Sequence, residues 1–174
     1  MDRSERKIRI VMIGSVNYSK GAELFLRIAG AVDQKKIEIH FWGRSNEYGD
    51  RIRKAGVIDH GGYRQEELGT ILSEMDLGLI LSVWEDNAPQ VVMEYLNNHV
   101  PVIGTRMGGI PDFINAANGY LFNPYKEDEV RAAINFINNV DLEQIFRMKS
   151  KIMRTVTVGE HLRELSEVYA NVLK

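Results

Sequence analysis

Residues Leu77–Gly109 read LGLILSVWEDNAPQVVMEYLNNHVPVIGTRMGG, and this stretch decides the fold. It opens on Leu77–Val83, an apolar run in which nothing alternates, as expected of a strand buried on both faces of a parallel sheet. Polar residues Glu85, Asp86 and Asn87 follow, and Pro89 suits the first turn of a helix that Asn87 can cap. Val91, Val92, Tyr95 and Leu96 give that helix one apolar side. Val100–Gly104 is a second apolar strand, and Gly108–Gly109 lies just beyond it. Strand, helix and strand within about thirty residues form a βαβ unit, whose strands run parallel.

The same alternation extends in both directions. Upstream, Ile8–Ile13 is a β-branched strand closed by Gly14. A helix follows, capped by Ser19, with Lys20 in its first turn and Leu24, Phe25, Ile28, Ala31 and Val32 at helical spacing. Ile37–Trp42 is a strand closed by Gly43, Tyr48–Ala55 a short helix, and Val57–His60 a third strand. Gln65–Met75 is helical, with Leu68, Ile71, Leu72 and Met75 on one face. Downstream, Pro111–Asn115 is a helical turn and Gly119–Phe122 a short strand. After Pro124 the pattern is helical only, over Glu127–Asn138, Leu142–Met153 and Glu160–Leu173. The expected class is α/β: one Rossmann-like three-layer domain over residues 1–174. It has a parallel sheet of about six strands, helices on both faces and extra carboxy-terminal helices. Leu162, Leu165, Val168, Tyr169 and Val172 form an apolar stripe on the last helix, which is expected to stay exposed in the isolated chain and to favour weak self-association.

Composition narrows the class further. A chain of 174 residues with 44% apolar content builds one core without metal or disulfide help, and it has no cysteine. A net charge of −2 gives no electrostatic footprint for nucleic acid. No run approaches the roughly 18–20 apolar residues of a membrane span. The start, MDRSERKIR, is charged with no signal core behind it, so a soluble, cytoplasmic chain is expected. Peripheral membrane attachment through a partner region stays open.

Open parallel sheets bind ligands beyond the carboxyl ends of their strands. Here those are the positions after Ile13, Trp42, His60, Val83 and Gly104. A helix opening after Val83 offers unpaired amides and a partial positive charge, which suit a diphosphate. Glu94, in its second turn, is placed to accept from a ligand diol. The plainer reading makes Glu85 and Asp86 solvated loop carboxylates. Gly108–Gly109 is either a close backbone approach to phosphate or a simple turn. Lys20 opposes the helix dipole, which favours an anionic partner, though a solvated lysine is the commoner case. His40, His60, His99 and His161 show no metal-ligand spacing, and no metal or cofactor is expected. His60 either lines the pocket or is structural, with Trp84 available to pack against it.

These residues resemble the carboxy-terminal, donor-binding half of family-four retaining glycosyltransferases, which have the two-domain GT-B fold. The resemblance is carried by WEDNAPQVVMEY, in which seven residues separate Asp86 from Glu94, by Val100–Ile103, and by Gly108–Asp112. His60–Ser82, Asn17–Gly21 and Asn118–Pro124 are similar to the flanking segments, so it covers nearly the whole chain. It implies a nucleotide-diphosphate sugar as donor. Glu94 would bond the ribose hydroxyls, Asp86 the donor sugar, and Lys20 the diphosphate, making these three the catalytic set. Amides around Asn87, Ala88 and Gln90 would assist, with Gly108 and Gly109, and the turn at His60 would lie near the base. Four departures stand out. Asp86 replaces a usual Glu, with Glu85 adjacent to compensate. Ser15 stands where many relatives have Arg, and Gly43-Arg44-Ser45 replaces a Gly-x-Gly turn, so Arg44 is a candidate substitute cation. Asp112 also replaces a more usual Glu.

The family works with an amino-terminal, acceptor-binding half, to which nothing here is similar. The expectation is a fragment or a subunit of a split enzyme, inactive alone, acting in polysaccharide biosynthesis on a glycan or lipid acceptor. Two other readings stay open: a non-catalytic nucleotide-binding or scaffold module, and half of a nucleotide-sugar epimerase.

Overall fold

A computed structural model describes residues 6–85, 87, 89–153 and 158–172. Six parallel strands form one sheet in the order β3-β2-β1-β4-β5-β6. They are β1 Ile8–Ser15, β2 Ile37–Arg44, β3 Ile58–Asp59, β4 Leu77–Ile80, β5 Val102–Thr105 and β6 Gly119–Phe122. The helices are α1 Ala22–Ala31, α2 Gly49–Lys54, α3 Leu68–Ser73, α4 Gln90–Asn97, α5 Ile110–Phe113, α6 Glu127–Asn139, α7 Leu142–Lys151 and α8 Val158–Val172.

The central strands are buried on both faces, and their side chains alternate between two cores. Ile8, Ile10 and Met12 join Phe25 and Ile28 of α1, Ile52 of α2, and Val130 and Ile137 of α6 on one face. Val11 and Ile13 join Leu68 and Leu72 of α3 and Val92, Tyr95 and Leu96 of α4 on the other. This is the expected three-layer α/β architecture. Each fully buried Ile, Leu or Phe contributes about 1.5–3 kcal/mol, which explains why long apolar runs fixed the central strands.

Several boundaries differ from the expectation. β1 and β2 each run two residues further, through Ser15 and Arg44, because their paired ladder continues to those residues. β5 starts at Val102 and not Val100, since Pro101 has no amide to give the ladder. The third strand shrinks to Ile58–Asp59, at the sheet edge. Asn46–Tyr48 and Gln65–Glu67 are 3-10 turns that lead into α2 and α3. The stripe on α8 is exposed as expected: Leu162, Val168, Tyr169 and Val172 all show more than half of their surface, at 57%, 57%, 64% and 76%. Among the described residues no helix is long and apolar enough to cross a membrane.

Candidate functional site

β1 and β4 are neighbours from which the chain winds outward in opposite directions, so the switch point of the sheet lies between them. A crevice opens at their carboxyl ends. Gly14, Ser15 and Lys20 line it from the β1 side, and Ser82, Pro89 and Val91 from the β4 side.

Lys20 is not in the first turn of α1, and Ser19 is not its cap. The helix starts at Ala22 with Gly21 at its N-cap position, without a side-chain cap. Residues 17–21 form a tight turn instead. Asn17 Oδ1 accepts from the Lys20 amide at 3.0 Å and from the Ser19 hydroxyl at 2.8 Å. The Val83 amide donates to Ser19 O at 2.9 Å, fastening the turn to the end of β4. Gly21 has φ 77°, and a Cβ there would lie 1.9 Å from Leu81 O, so glycine alone fits. The turn brings Lys20 to the wall of the crevice.

On the opposite wall, α4 begins after Pro89, which occupies the N-cap position with extended backbone. Asn87 is exposed and does not cap the helix. Among the described residues no side chain caps the start of α4; the Val92 amide donates to Pro89 O at 2.9 Å, and the Gln90 and Val91 amides precede it. Asp86 and Ala88 lie outside the described residues.

Glu94 lies one helical turn beyond Val91 and is half-buried. Its neighbour is Tyr63, whose hydroxyl is pushed above its ordinary value by burial first and by the Glu94 charge second. Sequence reading missed Tyr63. It follows the His60–Gly62 turn by one residue and meets α4 only through the tertiary fold.

Glu85 is exposed yet engaged: its carboxylate accepts from the Gly108 amide at 2.7 Å. This ties the loop after β4 to the glycine pair, where Gly108 has φ 52° and Gly109 occupies the N-cap of α5. Arg44 closes β2 directly beside Ser15, with which it is in register. Gly14 and Gly43 touch there, and a Cβ on Gly43 would lie 1.7 Å from Gly14 O. The structure thus brings Ser15, Lys20 and Arg44 to one edge and places Glu94 on the flank.

His60 does not line this crevice. It stacks on Trp42, with ring centroids 4.2 Å apart, and faces a separate hollow. Trp84 is 68% exposed. The stacking partner is therefore Trp42, brought close by the β2–β3 register. Among the described residues no group of three or more His, Asp or Glu side chains is arranged to hold a metal.

The site is thus a crevice at the switch point of an open parallel sheet, with Lys20 on one wall and the start of α4 on the other. The sequence matches the glycosyl transferases group 1 over residues 7–139, and the chain belongs to that family. An uncharacterised 41.2 kDa protein in the cps region of Klebsiella pneumoniae is 28% identical over 121 residues, 68% of this chain. The match spans 34% of that protein's length. The fold is similar to the carboxy-terminal domain of a glycosyl transferase group 1 family protein (LpcC) from Francisella tularensis, with TM-score 0.68, 18% identity, and 83% and 81% of the two chains covered. It is also similar to HepE of Anabaena in complex with UDP-glucose, with TM-score 0.72 and 15% identity over 93% of this chain and 49% of that one.

Proposed function

We propose that this chain is the nucleotide-sugar-binding domain of a GT-B glycosyltransferase that transfers a hexose with retention at the anomeric carbon. Its acceptor-binding half would be in the same polypeptide or a separate subunit, and would supply any membrane contact. Lys20 then faces the diphosphate, whose charge grows as the sugar leaves, and the first amides of α4 assist it. Glu94 accepts from the ribose hydroxyls, and Asp86 contacts the donor sugar. Arg44, next to Ser15, takes the place of the cation that Ser15 lacks. No metal is assigned a role. The relative in a cps region supports polysaccharide biosynthesis as the setting.

The observation that supports this reading is Lys20 at the wall of the switch-point crevice, on a turn whose backbone is fixed by the Asn17, Gly21 and Val83 contacts. With one wall of a closed cleft present, binding is expected in the high-micromolar to millimolar range, about 4–5 kcal/mol. Calorimetry with uridine, guanosine and adenosine diphosphates tests it. The expected result is saturable binding of at least one of them. A folded sample that binds none overturns the reading.

A further inference from the structure

Outside the crevice, a hollow lies between α3 and the edge of the sheet. His40, Trp42 and His60 line its sheet side, and Thr70, Glu74 and Met75 the side of α3. Three rings meet there. His60 stacks on Trp42 and also lies parallel to His40, with centroids 5.3 Å apart. His40 Nδ1 and His60 Nε2 are 3.0 Å apart. Two neutral imidazoles make such a bond with one bridging hydrogen. The Glu38 carboxylate lies 3.8 Å from His40 Nε2, too far for a hydrogen bond but close enough to favour a hydrogen on that nitrogen. His60 Nε2 is therefore the donor and His40 Nδ1 the acceptor.

The pair fastens a weak edge. β3 has two residues, paired to β2 as His40–Ile58 and Phe41–Asp59. The chain then leaves the sheet through the His60 amide on Phe41 O and the Gly43 amide on Gly61 O, at 2.9 and 2.7 Å. Past Gly62 it delivers Tyr63 to the flank that holds Glu94.

We propose that the His40–His60 pair is a proton-sensitive positioning device, holding residues 60–63 while the rings share one hydrogen and releasing them when both rings are protonated. That this matters for the donor nucleotide rests on the reading above, in which Glu94 holds the ribose.

A first proton goes to the outward nitrogen of His60, near Asp59, and leaves the bridging N–H in place. A second must go to His40 Nδ1, which sets N–H against N–H and one cation against another. The surrounding charges do not relieve this. Arg9 of β1 lies 3.9 Å from Glu38 and 3.5 Å from Glu74, engaging the carboxylates that face His40 from β2 and from the end of α3. Asp59 of β3 is held by Arg53 at 3.0 Å. Burial, then the His60 charge, hold His40 below the ordinary histidine value against the pull of Glu38. Burial also lowers His60, against Asp59. The held state thus binds fewer protons than the released state, so acidification through and below the ordinary histidine range favours release.

The test uses the Trp84→Phe protein, in which Trp42 is the remaining tryptophan. Trp42 emission, histidine ring NMR shifts and exchange of the Gly61, Gly62 and Tyr63 amides are followed from about pH 7.5 to about pH 4.5, bracketing the free histidine value. Expected are two coupled titrations and Trp42 quenching at the first step. At the second, exchange at the three amides accelerates by about tenfold beyond its intrinsic pH dependence, the effect of a one-unit shift. His60→Gln should abolish that acceleration, and UDP affinity of the parent should fall in the same window. Independent titrations with no change in exchange at the turn overturn the proposal, and because the ring shifts and amide exchange are also followed in the unsubstituted protein, this arm does not depend on either variant folding. Release of the turn with UDP binding unchanged, or with no UDP binding at any pH, supports the positioning pair and counts against the placement of the nucleotide.

Discussion

The hydroxyl of Tyr95 accepts from the Ile13 amide at 3.1 Å, joining α4 to β1 across the switch point of the sheet. The same hydroxyl donates to Val11 O at 3.1 Å. β1 and β4 pair at Ile10–Leu77 and Val11–Gly78, and Tyr95 takes over β1 as that ladder ends. Gly78 leaves the room: a Cβ there would lie 2.8 Å from the Tyr95 ring. Burial holds the hydroxyl protonated. The fork between the strands is therefore fixed by the residue next to Glu94.

Tyr95→Phe keeps the ring and removes the bridge. The Ile13 amide and Val11 carbonyl lose a buried partner, which should destabilise the fold by about 1–3 kcal/mol. Urea unfolding measures the loss, and nucleotide affinity should fall with it because α4 carries Glu94. An unchanged midpoint would mean that water or the strands replace the hydroxyl without penalty.

Lys20→Ala should weaken a nucleoside diphosphate and spare the bare nucleoside. A lysine that meets phosphate acts as a point charge, and its benefit requires the phosphates. The turn that carries it is fixed by Asn17, Gly21 and Val83, so the fold should survive the substitution. The difference should shrink with added salt. Equal weakening of both ligands in titration calorimetry would assign Lys20 to the fold.

Glu94→Gln should weaken nucleotide binding more than Glu85→Gln does. A charged acceptor for hydroxyls contributes about 1.5–3 kcal/mol. Glu85 is bound to the Gly108 amide at an exposed position, where a neutral amide oxygen remains able to accept. Parallel calorimetry of the two variants decides the matter, and equal losses would place the ribose nearer the glycine pair.

What the sequence revealed followed burial. Leu77–Ile80 and Ile8–Ile13 were readable because strands covered on both faces must be apolar throughout. β3 was not readable to the residue, since Ile58 is 42% exposed and the strand makes only two pairs. The turn before α1 misled because Ser19 has a capping side chain, whereas the close approach to Leu81 O selects the Gly21 conformation. Ser15 and Arg44 came together as adjacent strand ends, which an α/β reading anticipates. The His40–Trp42–His60 stack depends on the register of β2 against β3, and Tyr63, in the loop after β3, meets Glu94 of α4 only in the folded chain. One signal was present: His40 and Trp42, two residues apart, share the face of β2 opposite to apolar Ile37, Ile39 and Phe41.

The exposed stripe on α8 should drive concentration-dependent self-association of the isolated chain. Leu162, Leu165, Tyr169 and Val172 are spaced three, four and three residues apart, the repeat of a helix that packs on another helix. All four are exposed, with Val168 beside them, so the seam lacks cover among the described residues. A stripe of this size exceeds the singly scattered apolar residues that a monomer tolerates without consequence. Two copies laid seam to seam would cover it, and the contact should be weak because α8 offers only about two heptads. Sedimentation equilibrium should show a monomer–dimer equilibrium that strengthens with added sulfate, as apolar contacts do. Leu165→Glu, which sets a charge in the middle of the seam, should leave a monomer with unchanged far-ultraviolet circular dichroism. If the parent chain stays monomeric at the highest soluble concentration, the stripe is stable in water without a partner, and association through α8 is excluded.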